Sequence, residues 1–182
     1  MSLQGAIAAL LLGGPNYGYQ LQATLEAELG PLWETKASQL YLVIGRMQRD
    51  GFITSQRVRQ KTYPDRQLLA LTRRGHDLGQ RWLTESGPSH ELPVRLAVAR
   101  IAAPARFGEV AEAIAQERAA VLQQLRELKA QAASGFHQEA VELELARVRA
   151  ELRWVTAVQE RADEIVARPR IRRQPLTIER DA

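Results

Sequence analysis

Basic side chains concentrate in one stretch of this 182-residue chain. The segment from Arg46 to Arg81 carries nine Lys and Arg against three Asp, an excess of six positive charges where the whole chain has +4. The nine are Arg46, Arg49, Arg57, Arg59, Lys61, Arg66, Arg73, Arg74 and Arg81. Such a block is typical of a surface that binds phosphate groups. A solvated basic face is the alternative.

Polar side chains suited to reading a base edge lie just before this block. Ser38, Gln39 and Tyr41 come near the start of a predicted helix. Gln pairs with adenine through its amide, and a Ser hydroxyl contacts a base or a phosphate. Tyr41 is suited either to such a contact or to packing inside the protein. Lys36 stands at the helix N-terminus, where its charge adds to the positive end of the helix dipole in attracting phosphate.

Other side chains are suited to contacts with a nucleic-acid backbone. Arg57, Arg59 and Lys61 lie in a predicted hairpin and would supply affinity rather than sequence reading. Tyr17 and Tyr19 would present hydroxyl groups to phosphate, or else pack at the start of a helix.

Helical periodicity organises the region before the hairpin. Leu40, Ile44 and Met47 recur at spacings of four and three, which predicts a helix from about Lys36 with these residues facing the core. Ser38, Gln39 and Leu42 are then expected toward the outer side, with Tyr41 at the boundary. Asp50-Gly51 ends it. Two further helices are predicted before it, with Gly13-Gly14-Pro15 between them. Asn16 is expected to cap the second of these.

A β-hairpin and another helix follow. Phe52–Thr54 and Val58 favour a strand, residues 62–65 a turn, and Leu68–Leu71 a returning strand. Thr72 is expected to cap the next helix, whose apolar face holds Leu78, Trp82 and Leu83. The arrangement predicts a winged helix-turn-helix, in which one helix enters a DNA major groove and a basic loop reaches the neighbouring backbone.

The second half of the chain is predicted to be almost entirely helical. A segment with linker composition, Thr84–Ser89, precedes it. Two long helices with apolar stripes predict an αα-hairpin. The stripe of the second long helix consists of Val141, Leu145, Val148, Leu152 and Val155. Its heptad-like spacing favours packing against a partner helix in a second copy of the chain. Packing within one chain is the alternative. Arg118 fills an expected apolar position of the earlier helix.

Composition excludes several classes of protein. With no Cys, the chain has no disulfide and no thiolate metal site, which fits a cytoplasmic protein. The apolar run Ala6–Leu12 lacks a basic leader and is expected to be a buried helix rather than a signal peptide, and no run is long enough to span a membrane. The three His share no metal-ligand spacing, and no catalytic motif or cofactor loop occurs. We therefore expect neither an enzyme nor a cofactor or metal.

The motifs, taken together, resemble the PadR family of bacterial transcriptional regulators. They are Gly18–Leu21, Ser38–Tyr41, Arg49–Ile53 and Leu71–Gly75, and the match covers roughly residues 5–84. The chain departs from the family at Tyr17, where His is usual, at Ser38, where Gly is usual, and at Gln67–Leu69, where the returning strand usually has Lys-x-Tyr.

The resemblance implies a mainly α protein with a small β wing. Residues 1–85 would be the winged helix-turn-helix domain, residues 91–167 a helical dimerisation and effector domain, and residues 168–182 a basic tail. It further implies a repressor that binds a palindromic operator on double-stranded DNA as a homodimer and often responds to an effector. A small aromatic or apolar effector would find a predicted pocket at Trp82, Phe107, Phe136 and Trp154. These aromatic residues are otherwise expected to be core.

Two alternatives come from other classes of function. The winged helix is also compatible with a docking module in a helical protein–protein adaptor. The basic surface is compatible with RNA binding, which targets mostly single-stranded segments.

Overall fold

The computed structural model describes residues 3–30, 33, 35–58, 66–85, 87–131 and 136–168. In chain order the helices and strands are α1 (Leu3–Leu11), β1 (Asn16–Tyr17), α2 (Gly18–Leu29), α3 (Ala37–Arg49), β2 (Ile53–Val58), β3 (Arg66–Leu71), α4 (Arg73–Thr84), α5 (Leu92–Ala102), α6 (Phe107–Gln131), α7 (Phe136–Glu160) and α8 (Ala162–Ala167). The described chain divides inside α4 into two compact units, here called the N-terminal unit, up to Gly79, and the C-terminal unit, from Gln80 to Ala167. The predicted fold class, mainly helical with a small β wing, is confirmed.

The core of the N-terminal unit forms where α1, α2 and α3 meet the sheet. α1 is almost wholly buried, as the apolar run in the sequence predicts. Leu21 and Leu25 of α2 and Leu40 and Met47 of α3 are also buried, since their 3.6-residue spacing places each pair on one helix face. Leu69 of β3 adds the contribution of the sheet to this core.

The sheet has three antiparallel strands in the order β1-β3-β2. The hairpin of β2 and β3 pairs Ile53 with Leu71 and Val58 with Arg66. β1, which the sequence did not predict, pairs Asn16 with Leu69. The expectation that Asn16 caps α2 is wrong: the residue before α2 is Tyr17, no side chain caps it, and the Asn16 side chain accepts a bond from the Tyr17 N–H instead. Pairing with β3 holds Asn16 in a strand.

A turn of close backbone contacts joins α3 to the wing. Gly51 adopts a positive φ of 72°, which ends α3 and turns the chain into β2. The Thr72 hydroxyl donates toward the carbonyls of Gly51 at 2.7 Å and Phe52 at 3.1 Å, and it accepts the Gly75 N–H at 3.2 Å, so that Thr72 caps α4 as predicted. A Cβ atom on Gly75 would clash with the Phe52 carbonyl oxygen, so only glycine permits this approach.

The C-terminal unit contains the predicted αα-hairpin. α6 and α7 run antiparallel: Arg118, in the middle of α6, pairs with Glu151, whereas Lys129, later in α6, pairs with Glu142, earlier in α7. Between these pairs lies an apolar cluster of Leu122, Val141, Leu145 and Val148, with Val121, Leu125 and Leu152 packed against it.

Two buried arginines of this helical unit, one in α5 and one in α6, form hydrogen bonds with the segment after α4. Arg95 donates to the Glu85 carbonyl at 2.7 Å and lies over the Trp82 ring, and Arg118 donates to the Gly87 carbonyl at 3.1 Å. Burial lowers the pKa of the Arg95 guanidinium. The nearby negative charge of Glu117 opposes this shift, because it favours the protonated guanidinium. The composition of residues 84–89 predicts a linker, yet these carbonyl contacts anchor it.

In the described part of the chain, no helix combines the length and apolar character that crossing a membrane requires.

We expect Gly75→Ala to destabilise the N-terminal unit by about 1–3 kcal/mol, because the new methyl group forces the α3–wing turn and α4 apart. Gly45→Ala is the matched control. A Cβ there meets no atom closer than 3.8 Å, and Ala in a helix interior is favoured by about 0.5–1 kcal/mol. Urea unfolding followed by circular dichroism measures both. Equal midpoints for the two variants would contradict the proposed close contact.

Candidate nucleic-acid interface

The exposed side of α3 carries the residues suited to reading bases. Leu40, Ile44 and Met47 are buried, as their spacing predicts. Ser38 and Gln39 consequently lie in solvent in the first turn of the helix, and Tyr41 is 51% exposed. The helix starts after Lys36, which is exposed and makes no side-chain cap. The first turn therefore presents polar groups and one cation outward.

Leu42 is also on the outer side of α3 and is 72% exposed. An apolar side chain on the exposed face of a base-reading helix is suited to contact the methyl group of thymine.

A cluster of two tyrosines and one arginine lies beside α3. The rings of Tyr17 and Tyr19 stack with their centroids 5.8 Å apart and their planes 22° from parallel. The Arg66 guanidinium lies over both, 6.0 Å from the Tyr17 centroid and 5.2 Å from that of Tyr19. Its Nη1 also donates to the Tyr19 hydroxyl at 3.0 Å. The cluster thus combines hydroxyl groups with a cation held in a fixed orientation.

The sequence does not single out Arg66 as a site residue. Arg66 adds its charge to the basic block, but the tyrosines stand 47 and more residues away along the chain. Only the pairing of β1 with β3 brings the start of α2 next to the returning strand of the wing. An arginine at a strand end carries no local signal of that neighbour.

A hollow of about 420 Å³ adjoins this cluster. Tyr41 and Ile44 of α3 and Leu69 of β3 contribute to its wall, together with Gly18. A Cβ on Gly18 would lie 2.9 Å from the Tyr41 ring, so the glycine leaves room for that ring.

The wing contributes a further cation. Arg57 is exposed on β2, directly opposite Gln67 of β3. The two other predicted wing contacts, Arg59 and Lys61, lie outside the described residues, as does the basic tail beyond Arg168.

The remaining predicted site residues belong to the C-terminal unit. Val141, Leu145, Val148 and Val155 of the predicted dimer stripe are buried within one chain, and Leu152 is partly buried. Of the predicted effector pocket, Trp82 and Phe107 are buried, whereas Phe136 and Trp154 are exposed. Among the described residues, no group of His, Asp and Glu side chains is arranged to hold a metal ion.

Comparison with known proteins identifies the N-terminal region. Residues 7–81 match the model of the transcriptional regulator PadR-like family. The N-terminal region therefore carries a PadR-like domain. The matched family is one of transcriptional regulators, so the resemblance noted in the sequence is confirmed for this region.

One curated relative is the negative transcriptional regulator PadR of Bacillus subtilis (strain 168), which is 33% identical over 89 residues. The match spans about half of each protein, 49% of this chain and 49% of the relative.

Two solved structures of Bacillus subtilis PadR are also similar. The one in complex with operator DNA is 23% identical with a TM-score of 0.45, covering 90% of this chain and 100% of that chain. The one in complex with p-coumaric acid is 24% identical with a TM-score of 0.39, covering 88% of this chain and 98% of that chain.

Proposed function

We propose that this chain is a DNA-binding transcriptional regulator, a repressor that binds a palindromic operator as a homodimer. The observation that supports it best is the surface of the N-terminal unit. There Tyr41 and Ile44 of α3 line a hollow together with Tyr19 and Arg66. The first turn of the same helix exposes Ser38 and Gln39. Polar groups on a helix suit the major groove, and cations and hydroxyls suit the backbone next to it.

The deciding experiment is a gel shift at several salt concentrations with duplex DNA, single-stranded RNA and a pool of random duplexes from which a binding site is selected. We expect specific binding to duplex DNA, with DNase footprints in symmetric half-sites about 10 bp apart or a multiple of that. Binding to single-stranded RNA alone would support an RNA-binding protein instead. Binding to no nucleic acid would favour an adaptor.

Gln39 is assigned to base reading. Gln39→Ala is expected to cost about 1–3 kcal/mol on the selected duplex and to relax the preference at one position in each half-site, because it removes a bidentate amide contact. Gln124→Ala, in α6 and also exposed, serves as the control and should bind like the wild type. Equal losses on selected and random duplexes would reduce Gln39 to a backbone or structural role.

Arg57 is assigned to phosphate contact on the wing, with Arg59 and Lys61. Each neutralised phosphate releases condensed counterions, so Arg57→Ala should reduce the slope of log K against log salt by about one unit. The loss of affinity should be similar on selected and random duplexes. An unchanged slope in a variant with Arg57, Arg59 and Lys61 all replaced by Ala would remove these three cations from the contact surface.

The homodimer is assigned to α7. Four side chains of its stripe are already buried within one chain, so Leu152, which is only partly buried, is the member best placed to meet a second copy. Leu152→Glu would place an unpaired carboxylate in that contact, which is costly. We expect a folded monomer by analytical ultracentrifugation and a loss of specific DNA binding.

The matched control for this variant is Leu143→Glu, at a position 69% exposed on the same helix. It should stay dimeric. A monomer from Leu143→Glu with a dimer from Leu152→Glu would move the contact to the exposed face of α7. Circular dichroism separates either result from unfolding of the hairpin.

We extend the proposal to a cytoplasmic location and to a small aromatic or apolar effector, motivated by the p-coumaric acid in the structure of the Bacillus subtilis protein. Quenching of tryptophan fluorescence by phenolic acids, together with their effect on DNA binding, tests the effector. If neither changes, Trp82, Phe107, Phe136 and Trp154 have no effector role.

A further inference from the structure

Arg66 is held in place before any ligand arrives. The hydrogen bond to the Tyr19 hydroxyl and the two ring faces fix its guanidinium at the edge of β3. A guanidinium has five N–H donors, and within the described residues its side chain makes this one hydrogen bond. The other N–H donors belong to the same guanidinium, whose orientation is already fixed. Little side-chain entropy is therefore lost when they bind a ligand.

Tyr19 adds a donor at the same place. Its hydroxyl oxygen accepts the Arg66 N–H, which leaves its own O–H to donate elsewhere. The side chain is 45% exposed, so this O–H is accessible. A neutral O–H beside a cationic N–H fork matches an anion with several acceptor oxygens, and charge-assisted bonds of this kind are the strong ones.

The hollow next to this pair is apolar at its floor. Ile44 and Leu69 are buried there, and the ring of Tyr41 forms one side. A DNA strand has matching groups in the same order: an anionic phosphate would face Arg66 and Tyr19, and the largely apolar deoxyribose next to it would face the hollow. With α3 in the major groove and the wing at the neighbouring backbone, one strand has to pass between them.

We propose that Arg66 and Tyr19 bind one phosphate of the DNA backbone and that the hollow between α2, α3 and β3 receives the adjoining deoxyribose. Tyr17 is a positioning residue in this arrangement, since its ring stacks on Tyr19 and the Arg66 guanidinium lies over it. The proposal rests on the function proposed above. It adds a backbone contact on the returning strand of the wing, independent of Arg57 on β2.

The test uses the full-length protein with Arg66→Ala, Arg66→Lys and Tyr19→Phe, each checked by circular dichroism. Arg66→Ala should lower the salt slope by about one unit and weaken all duplexes alike. Arg66→Lys keeps the charge, so it should keep the slope but lose affinity, because it loses the fork. Tyr19→Phe keeps the stacked ring and should lose about 3–10-fold in affinity at an unchanged slope, the effect of one hydrogen bond. Arg126→Ala, an exposed arginine of α6, is the control of equal charge.

A direct contact is separated from a structural effect by duplexes in which single phosphates are replaced by neutral methylphosphonates. The wild type should be sensitive at one phosphate in each half-site, and Arg66→Ala should be insensitive at that same phosphate. Equal sensitivity of both proteins at every phosphate, or a salt slope unchanged in Arg66→Ala, would overturn the phosphate contact while leaving DNA binding intact. Failure of the wild type to bind any duplex would overturn both proposals.

Discussion

The wing keeps its place beside α3 because two stretches of backbone touch. Gly75, in the first turn of α4, approaches the Phe52 carbonyl so closely that no side chain fits between them. The Thr72 hydroxyl bridges the same turn, and Arg74 lies over the Phe52 ring and donates to the Asp50 carbonyl. Together these contacts fix where β2 begins relative to the end of α3.

The position of β2 in turn fixes the positions of the other two strands of the sheet. Once β2 is placed, its register with β3 sets the position of Arg66, and the pairing of β3 with β1 sets that of Tyr17. The cation and the two rings therefore meet because of backbone hydrogen bonds, and their own attraction only completes the arrangement. A cation–π contact at an exposed site contributes about 0.5–1 kcal/mol, too little to organise two strands by itself.

This arrangement divides the proposed interface into two kinds of contact. Gln39 and Ser38 stand in solvent on α3, and in the proposed complex they would adjust to the bases. Arg66 is held against aromatic rings before binding, so its contribution to affinity is less reduced by ordering. A fixed backbone contact sets the register of the protein on the duplex, and register decides which base each flexible side chain reaches.

The C-terminal unit shows how a polar residue inside a helical stripe is used. Arg118 interrupts the apolar spacing of α6, and it lies buried between Glu117, Glu151, Ser89 and the Gly87 carbonyl. Buried charges gain little net stability, because desolvation opposes their attraction. Their effect here is geometric, since the guanidinium groups of Arg118 and Arg95 bind carbonyl oxygens of the segment that follows α4.

The sequence alone determined the long helices and the β-hairpin, since these follow from local rules, and its motifs carried the family resemblance. Burial of Leu40, Ile44 and Met47 needs only the helical period, and the cap at Thr72 needs only its neighbours. The tertiary structure decided which distant groups meet. Asn16 lies in a strand and does not cap a helix. Arg66 contacts tyrosines that are far away along the chain. Neither outcome has a local signal, because strand pairing and glycine-permitted backbone contact depend on residues that are neighbours only after folding.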